Sequence, residues 1–203
     1  MVRLKLIAVM LLVGFATCGT ITFGEYFTVP TYTIDFVVNV SSASLGPTAP
    51  TSDTNAHCSG KGFDAANETI TIPFEIPNCW DGISDMYLKI YWCNTDGDAL
   101  ANGETVKWNA EWRSIIWGTE GADNGTAATG TDTYTQSGPG SAAQTEEAEI
   151  TMAYTGGNQP LAVGDSLSII LNRDTATDTY SGKGIVDKVE ISLNSTTPHC
   201  DHF

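Results

Sequence analysis

The sequence predicts an all-β fold, an antiparallel β-sandwich of the eight-stranded jelly-roll kind. Three observations carry that expectation. Apolar residues recur at every second position in one segment after another, the period that places side chains on one face of a strand. No stretch after residue 20 shows the i, i+3, i+4, i+7 spacing of an amphipathic helix. Only 16% of the residues are charged while Thr, Ser, Gly and Asn are plentiful, a composition that suits exposed β-structure. A chain of 203 residues is long enough for one domain with a sizeable core. The expected organisation is an apolar amino-terminal segment over 1–20, a single jelly-roll domain over 21–193 and a carboxy-terminal tail over 194–203.

The best-specified stretch is Leu161 to Leu193, LAVGDSLSIILNRDTATDTYSGKGIVDKVEISL. Leu167, Ile169 and Leu171 alternate in Ser166 to Arg173, and Val189, Ile191 and Leu193 repeat the pattern after Gly182 and Gly184. Between them RDTATDTYSGKG is dense in Asp, Thr and Gly, so the chain reverses there. Taken in order, the other predicted strands are Ile21 to Val29, Tyr32 to Val40, Thr69 to Ile76, Met86 to Trp92, Thr105 to Trp117 and Glu147 to Tyr154. Ile70, Ile72, Phe74 and Ile76 share one face of their strand, as do Met86, Leu88, Ile90 and Trp92 of theirs. Two stretches lack the rhythm. Ser41 to Asn67 reads as a long polar connection. Gly118 to Glu146 is longer than a compact domain tolerates without structure, so Thr129 to Gln136 is the place for a further short strand.

The amino terminus carries Arg3 and Lys5 ahead of the apolar run Leu6 to Ala16, with small residues at Ala16 and Cys18. That is the layout of a secretory signal peptide. Three other readings stay open: a lipid-modified Cys18, a retained membrane anchor over Leu6 to Phe23, and the first strand or two of the domain.

With 24 acidic against 9 basic residues, a formal net charge of -15, the chain repels phosphate backbones, and nucleic acid is excluded as a direct partner. Removal of Cys18 would leave Cys58, Cys79, Cys93 and Cys200, enough for two disulfides with three pairings. His57 adjoins Cys58, and His199 and His202 flank Cys200; thiolate and imidazole are zinc's usual ligands. The competing reading is a disulfide tying the Ser41 to Asn67 loop to the tail. Asp96 and Asp98 sit in an Asn94 to Asp98 stretch that begins like a calcium loop but lacks its closing Glu. A β-turn needs the same residues. No cofactor is therefore expected beyond these two candidate metals. Four N-x-Ser/Thr sequons begin at Asn39, Asn67, Asn124 and Asn194.

Trp92 shares its face with Met86, Leu88 and Ile90, and Trp108 and Trp112 share theirs with Val106 and Ala110; these point to the core. Tyr87 and Tyr91 fall on the opposite face of their strand, and Trp117 lies on the face of Lys107, Asn109, Glu111 and Arg113. Outward rings among polar residues are what a glycan-binding sheet uses, because rings stack on the apolar faces of sugars. No nucleophile elbow, P-loop or zinc-protease motif occurs. Glu111 is the one carboxylate named for glycoside hydrolysis, and an enzyme is not the expectation.

IPFEIP at Ile72 to Pro77, DMYLKIYW at Asp85 to Trp92, VKWNAEW at Val106 to Trp112 and GDSLSIILNRDTATDTYSGKGIVDKVEISL at Gly164 to Leu193 together resemble single jelly-roll virion structural proteins of double-stranded DNA phages and related viruses. These are of the head-decoration, fibre or tail-associated kind. The resemblance covers roughly Ile70 to Leu193 and implies architecture and assembly surfaces, with no catalytic residues to carry over. It makes self-association and contact with other virion proteins the expected partnerships, and a virion, in capsid or tail, the expected location. The amino terminus departs from a cytoplasmically assembled phage protein, and an anchor over Leu6 to Phe23 would fit a membrane-containing virion. The alternative is a secreted carbohydrate-binding module or adhesin, extracellular and glycan-bound.

Overall fold

The alternating segments become strands. In the computed structural model, which describes residues 31–40, 43–95, 97–115, 127–155 and 161–200, they are β1 (Tyr32–Asn39), β2 (Ser44–Leu45), β3 (Thr51–Thr54), β4 (Ser59–Phe63), β5 (Thr69–Glu75), β6 (Met86–Asn94), β7 (Thr105–Ile115), β8 (Ala128–Thr135), β9 (Thr145–Met152), β10 (Ser166–Arg173) and β11 (Gly184–Ser195). The described residues lie in the unit Thr31–Phe203 and contain no α-helix. The expected strand at Ile21 to Val29, the candidate leader and the candidate anchor lie outside them.

Two antiparallel sheets result. One runs β3-β4-β11-β6-β9, with β1 beside the remaining length of β11; the other runs β2-β5-β10-β7-β8. The eight long strands pair as first with last and so inward: β1 with β11, β5 with β10, β6 with β9, β7 with β8. That is one long hairpin rolled over on itself, the jelly-roll order. It places the β10–β11 turn at the same end of the sandwich as the β6–β7 and β8–β9 connections.

Both sheets turn their apolar rows inward. Ile70, Ile72, Leu88, Ile90, Trp92, Trp108, Trp112, Leu167, Ile169, Leu171, Val189, Ile191 and Leu193 are all buried. Burial of such side chains, each contributing ~1.5–3 kcal/mol, is the main stabilising term. Phe63, Trp92, Trp108 and Tyr134 form an aromatic cluster, with Phe63 edge-on to Trp108 at 5.5 Å and Tyr134 edge-on to Trp92 at 5.5 Å.

The two stretches that read as connections contain strands. Ser41 to Asn67 holds β2, β3 and β4. β4, SGKGF, shows no alternation because its glycines are there for approach: a Cβ on Gly60 would stand 1.8 Å from the Val186 carbonyl oxygen of β11. The expected strand in Gly118 to Glu146 is present as β8. Its inward positions are Ala128, Gly130, Asp132 and Tyr134, which hide the apolar period. Gly130 makes room for Ile150, whose Cγ2 would lie 2.5 Å from an added Cβ. Asp132 reaches across to β9 and accepts the Glu149 N–H at 2.9 Å.

Arg173, at the end of β10, is fully buried. Its Nε and Nη2 donate to the two carboxylate oxygens of Asp178 at 2.7 and 3.2 Å. Nη1 donates to the Phe63 carbonyl at 3.2 Å and to the Gly182 carbonyl, and Nη2 donates also to the Tyr180 carbonyl. All five guanidinium N–H groups thus have acceptors, and the Tyr180 ring lies 5.2 Å from the guanidinium carbon. The Asp174 to Lys183 turn is folded around this charge.

A buried charge deprived of its partner is expensive. Asp178→Ala should therefore lower the unfolding free energy by ~3–5 kcal/mol, seen as a lower urea midpoint. An unchanged midpoint would show that the pair does not organise the turn.

Candidate functional site

The outer face of the first sheet carries the row Tyr87, Lys89, Tyr91 on β6, as the alternation predicts. Register places Tyr91 between Glu147 of β9 and Lys188 of β11, Lys89 between Glu149 and Glu190, and Tyr87 between Thr151 and Ser192. The face is therefore crossed by opposite charges.

Around Tyr91 this face sinks into an open hollow of about 380 Å³, lined by His57, Cys58, Tyr91, Trp92, Thr145, Glu146, Glu147, Asp187 and Lys188. Four elements build it. The turn between β3 and β4 supplies His57 and Cys58; it is shaped by Asn55, whose Oδ1 accepts the N–H groups of His57 and Cys58, both at 2.7 Å. β6 supplies Tyr91, and the start of β9 supplies Thr145 to Glu147. β11 supplies Asp187 and Lys188, at a bulge where its register against β6 shifts between Val186 and Lys188.

Tyr91 is already engaged. Its hydroxyl donates to Glu190 Oε2 at 2.8 Å, and the Lys188 ammonium sits 4.2 Å from the ring centroid while also reaching Glu190 Oε1 at 2.7 Å. Burial, then the Glu190 hydrogen bond and the nearby Glu147 charge, hold the phenol neutral well above its ordinary pKa of 10.0. The Lys188 and Tyr91 hydrogen bonds pull the Glu190 carboxyl below its ordinary 4.5. Against Trp92, Tyr134 donates to Glu146 Oε1 at 2.8 Å and accepts from Gln144 Nε2 at 2.9 Å, which also lies 2.9 Å from Gln136 Oε1. Burial and the Glu146 carboxylate push its phenol up to about 12.

The expected site residues are thus dispersed. Tyr91 is in the hollow, Tyr87 is half-buried two residues along the same row, and Trp117 lies outside the described residues. Cys58 is bonded to Cys93, and Cys79 to Cys200. Cys93 lies near the end of β6, while Cys79 lies in the β5–β6 connection beside the end of β11, so His57–Cys58 and His199–Cys200 do not converge, and their sulfurs are committed to disulfides. The grouping of these residues as zinc ligands is corrected by that geometry, as is a disulfide between the Ser41 to Asn67 loop and the tail. Asp98 closes its own turn, accepting from Thr95 Oγ1 at 3.1 Å through Oδ2 and from Asn94 Nδ2 at 2.8 Å through its carbonyl. Asp96 and His202 lie outside the described residues, among which no three metal-ligating side chains gather. Glu111 is tied to Arg113 at 2.6 Å on the outer face of the other sheet, its cross-strand neighbours being Ile170 and Thr129.

Sequence reasoning missed Glu147, Asp187, Lys188 and Glu190 as neighbours of Tyr91. The only local signal was the charged pair Lys188 and Glu190 on one strand face.

A carboxyl pKa lower in the folded than in the unfolded chain contributes stability that is present above the unfolded value and is lost as pH falls through the folded one. Glu190 should therefore support the fold at neutral pH and cease to do so in acid. Lys188→Ala and Tyr91→Phe should each raise the Glu190 titration midpoint followed by carboxyl-carbon NMR; a midpoint indifferent to both changes would contradict the network.

No protein-family model matches the chain, and no curated protein matches it. Among solved structures it is similar to the CBM36-1 domain of a multidomain xylanase from the hindgut metagenome of Trinervitermes trinervoides, at 11% identity over 78% of this chain and 96% of that one, with a TM-score of 0.45. It is also similar to a CocE/NonD family hydrolase from Staphylococcus aureus, at 11% identity over 80% of this chain and 37% of that one, with a TM-score of 0.46. A third is the structure of the infectious bursal disease virus Gx strain, at 12% identity over 80% of this chain and 32% of that one, with a TM-score of 0.29. The chain spans about a third of the latter two. At these identities and TM-scores the likenesses carry no role over to this chain.

Proposed function

We propose that this protein is a non-enzymatic structural protein of a surface assembly, a virion or an equivalent extracellular particle, in which it works as a rigid jelly-roll block among copies of itself and other components. The observation that carries the reading is the pair of disulfides. Cys58–Cys93 fastens the β3–β4 turn to the end of β6 at one end of the sandwich. At the other end, Cys79–Cys200 fastens the β5–β6 connection to the residues after β11. Such bonds persist in oxidising surroundings, virion and cell surfaces included. At the Cys79 end, two loops hydrogen-bonded to each other through Tyr154 N–H and Asp85 present Ile83 and Val163 to water, 71% and 42% exposed. These are apolar points for a neighbouring subunit.

The reading is tested on protein from its native source. Expected are its recovery with particles or the extracellular fraction, no free thiol at the four cysteines, and concentration-dependent oligomers in analytical ultracentrifugation. A fully reduced, intracellular protein that stays monomeric at high concentration would overturn it.

A second reading, glycan binding, is favoured by one observation: the hollow with Tyr91 in it. Lys188 covers the ring, so a sugar could stack there only after the ammonium moves aside. On this reading a glycan array gives defined hits that Tyr91→Ala weakens at least tenfold, and that Lys188→Ala strengthens. Silence on the array, or binding unchanged by Tyr91→Ala, would remove it.

A further inference from the structure

The four sequons are not equivalent in the fold. Asn194 is half-buried within β11, its carbonyl taken by the Asp81 N–H at 3.0 Å. Asn39 is exposed too, but it is the last residue of β1, in ladder register with Lys188, and so stands in a strand and not in a turn. Asn124 lies outside the described residues. Asn67 is exposed and sits in the turn that leads into β5, the surface-loop setting an acceptor asparagine requires.

That turn is built to hold Asn67 outward. Glu68 points inward and is only 6% exposed. Its Oε2 accepts the Asp64 and Ala65 N–H groups at 2.6 and 3.0 Å, and its own N–H donates to the Ala65 carbonyl at 3.1 Å. With Glu68 turned in, its predecessor turns out. Asn67 Nδ2 donates to Thr48 Oγ1 at 3.2 Å, and the preceding Ala66 carbonyl accepts from Asn172 Nδ2 at 3.3 Å. The hydroxyl at the third sequon position belongs to Thr69, first residue of β5.

We infer that Asn67 is a site of N-linked glycosylation, modified on export with an oligosaccharide drawn from a lipid-phosphate carrier. In the transfer, the Asn67 Nδ2 forms a bond to the anomeric carbon of the sugar. The bond from that carbon to the carrier phosphate oxygen breaks, and the displaced amide proton leaves with the phosphate. The amide keeps one hydrogen, which can still reach Thr48. Because the side chain is exposed and its bond to Thr48 uses only one of its two amide hydrogens, a bulky glycan projects into water without displacing the turn. The inference rests on the extracellular part of the reading above.

The test is peptide mapping by tandem mass spectrometry of the protein from its native source, under non-reducing conditions. The peptide containing Asn67 is expected as a glycopeptide and the peptide containing Asn194 as bare. In the native host, Asn67→Gln and Thr69→Val should each remove one glycan from the intact mass, the second without touching the acceptor itself. A bare Asn67 peptide from protein with both disulfides overturns the glycan alone. A bare peptide from protein with four free thiols overturns both the glycan and the extracellular reading. Modification of Asn194 in place of Asn67 overturns the assignment.

Discussion

A buried arginine organises one end of this sandwich. Moving a guanidinium out of water costs several kcal/mol even after relaxation, and Arg173 offsets that cost only by finding an acceptor for each of its five N–H groups. Those acceptors come from Asp178, Tyr180 and Gly182 in the turn and from Phe63 at the end of β4. The Tyr180 ring completes the enclosure, and its hydroxyl reaches the Asp98 carbonyl at 2.8 Å in the β6–β7 connection. One cation thereby gathers β4, β10, the start of β11 and a neighbouring connection. Trp108, the residue in register with Arg173, lies against Gly184, where an added Cβ would stand 3.2 Å from the indole. Charge and aromatic core are thus packed as one unit.

How much of this was legible in the sequence follows from what each strand packs against. β5, β6, β7, β10 and β11 read clearly because each faces the core with one row of large apolar side chains. β4 was invisible because its contribution is closeness of backbone, through Gly60 and Gly62, and glycines leave no period. β8 was half-visible because the core meets it with Ala128, Gly130 and Asp132. Arg173 opens a turn-rich run of the sequence, and nothing local shows that it points inward, since its acceptors are mostly carbonyl groups that any sequence would supply.

The outer face illustrates a different limit. Parity alone placed Tyr87, Lys89 and Tyr91 on it, and they are there. What stands over Tyr91 depends on the cross-strand register of β11, which a bulge at Asp187 shifts by one residue. Periodicity within a strand reports which face a side chain takes. It is silent on the neighbour across the gap, and here that neighbour is an ammonium group that changes a bare ring into a satisfied one. The cysteine pairing was hidden for the same reason: β6 separates the two pairs along its length, a distance that spacing in the chain does not express.

Asp132 has a consequence for how the molecule meets others. By accepting the Glu149 N–H it places a carboxylate against the flank of β9 that faces away from β6, and so removes a donor that an incoming strand would need. A negative charge at that flank also repels the carbonyl groups of any chain laid alongside. Lateral accretion of foreign strands, the route to fibrillar aggregates, is discouraged on this side. A protein as rich in threonine and alternating apolar residues as this one would otherwise be prone to it.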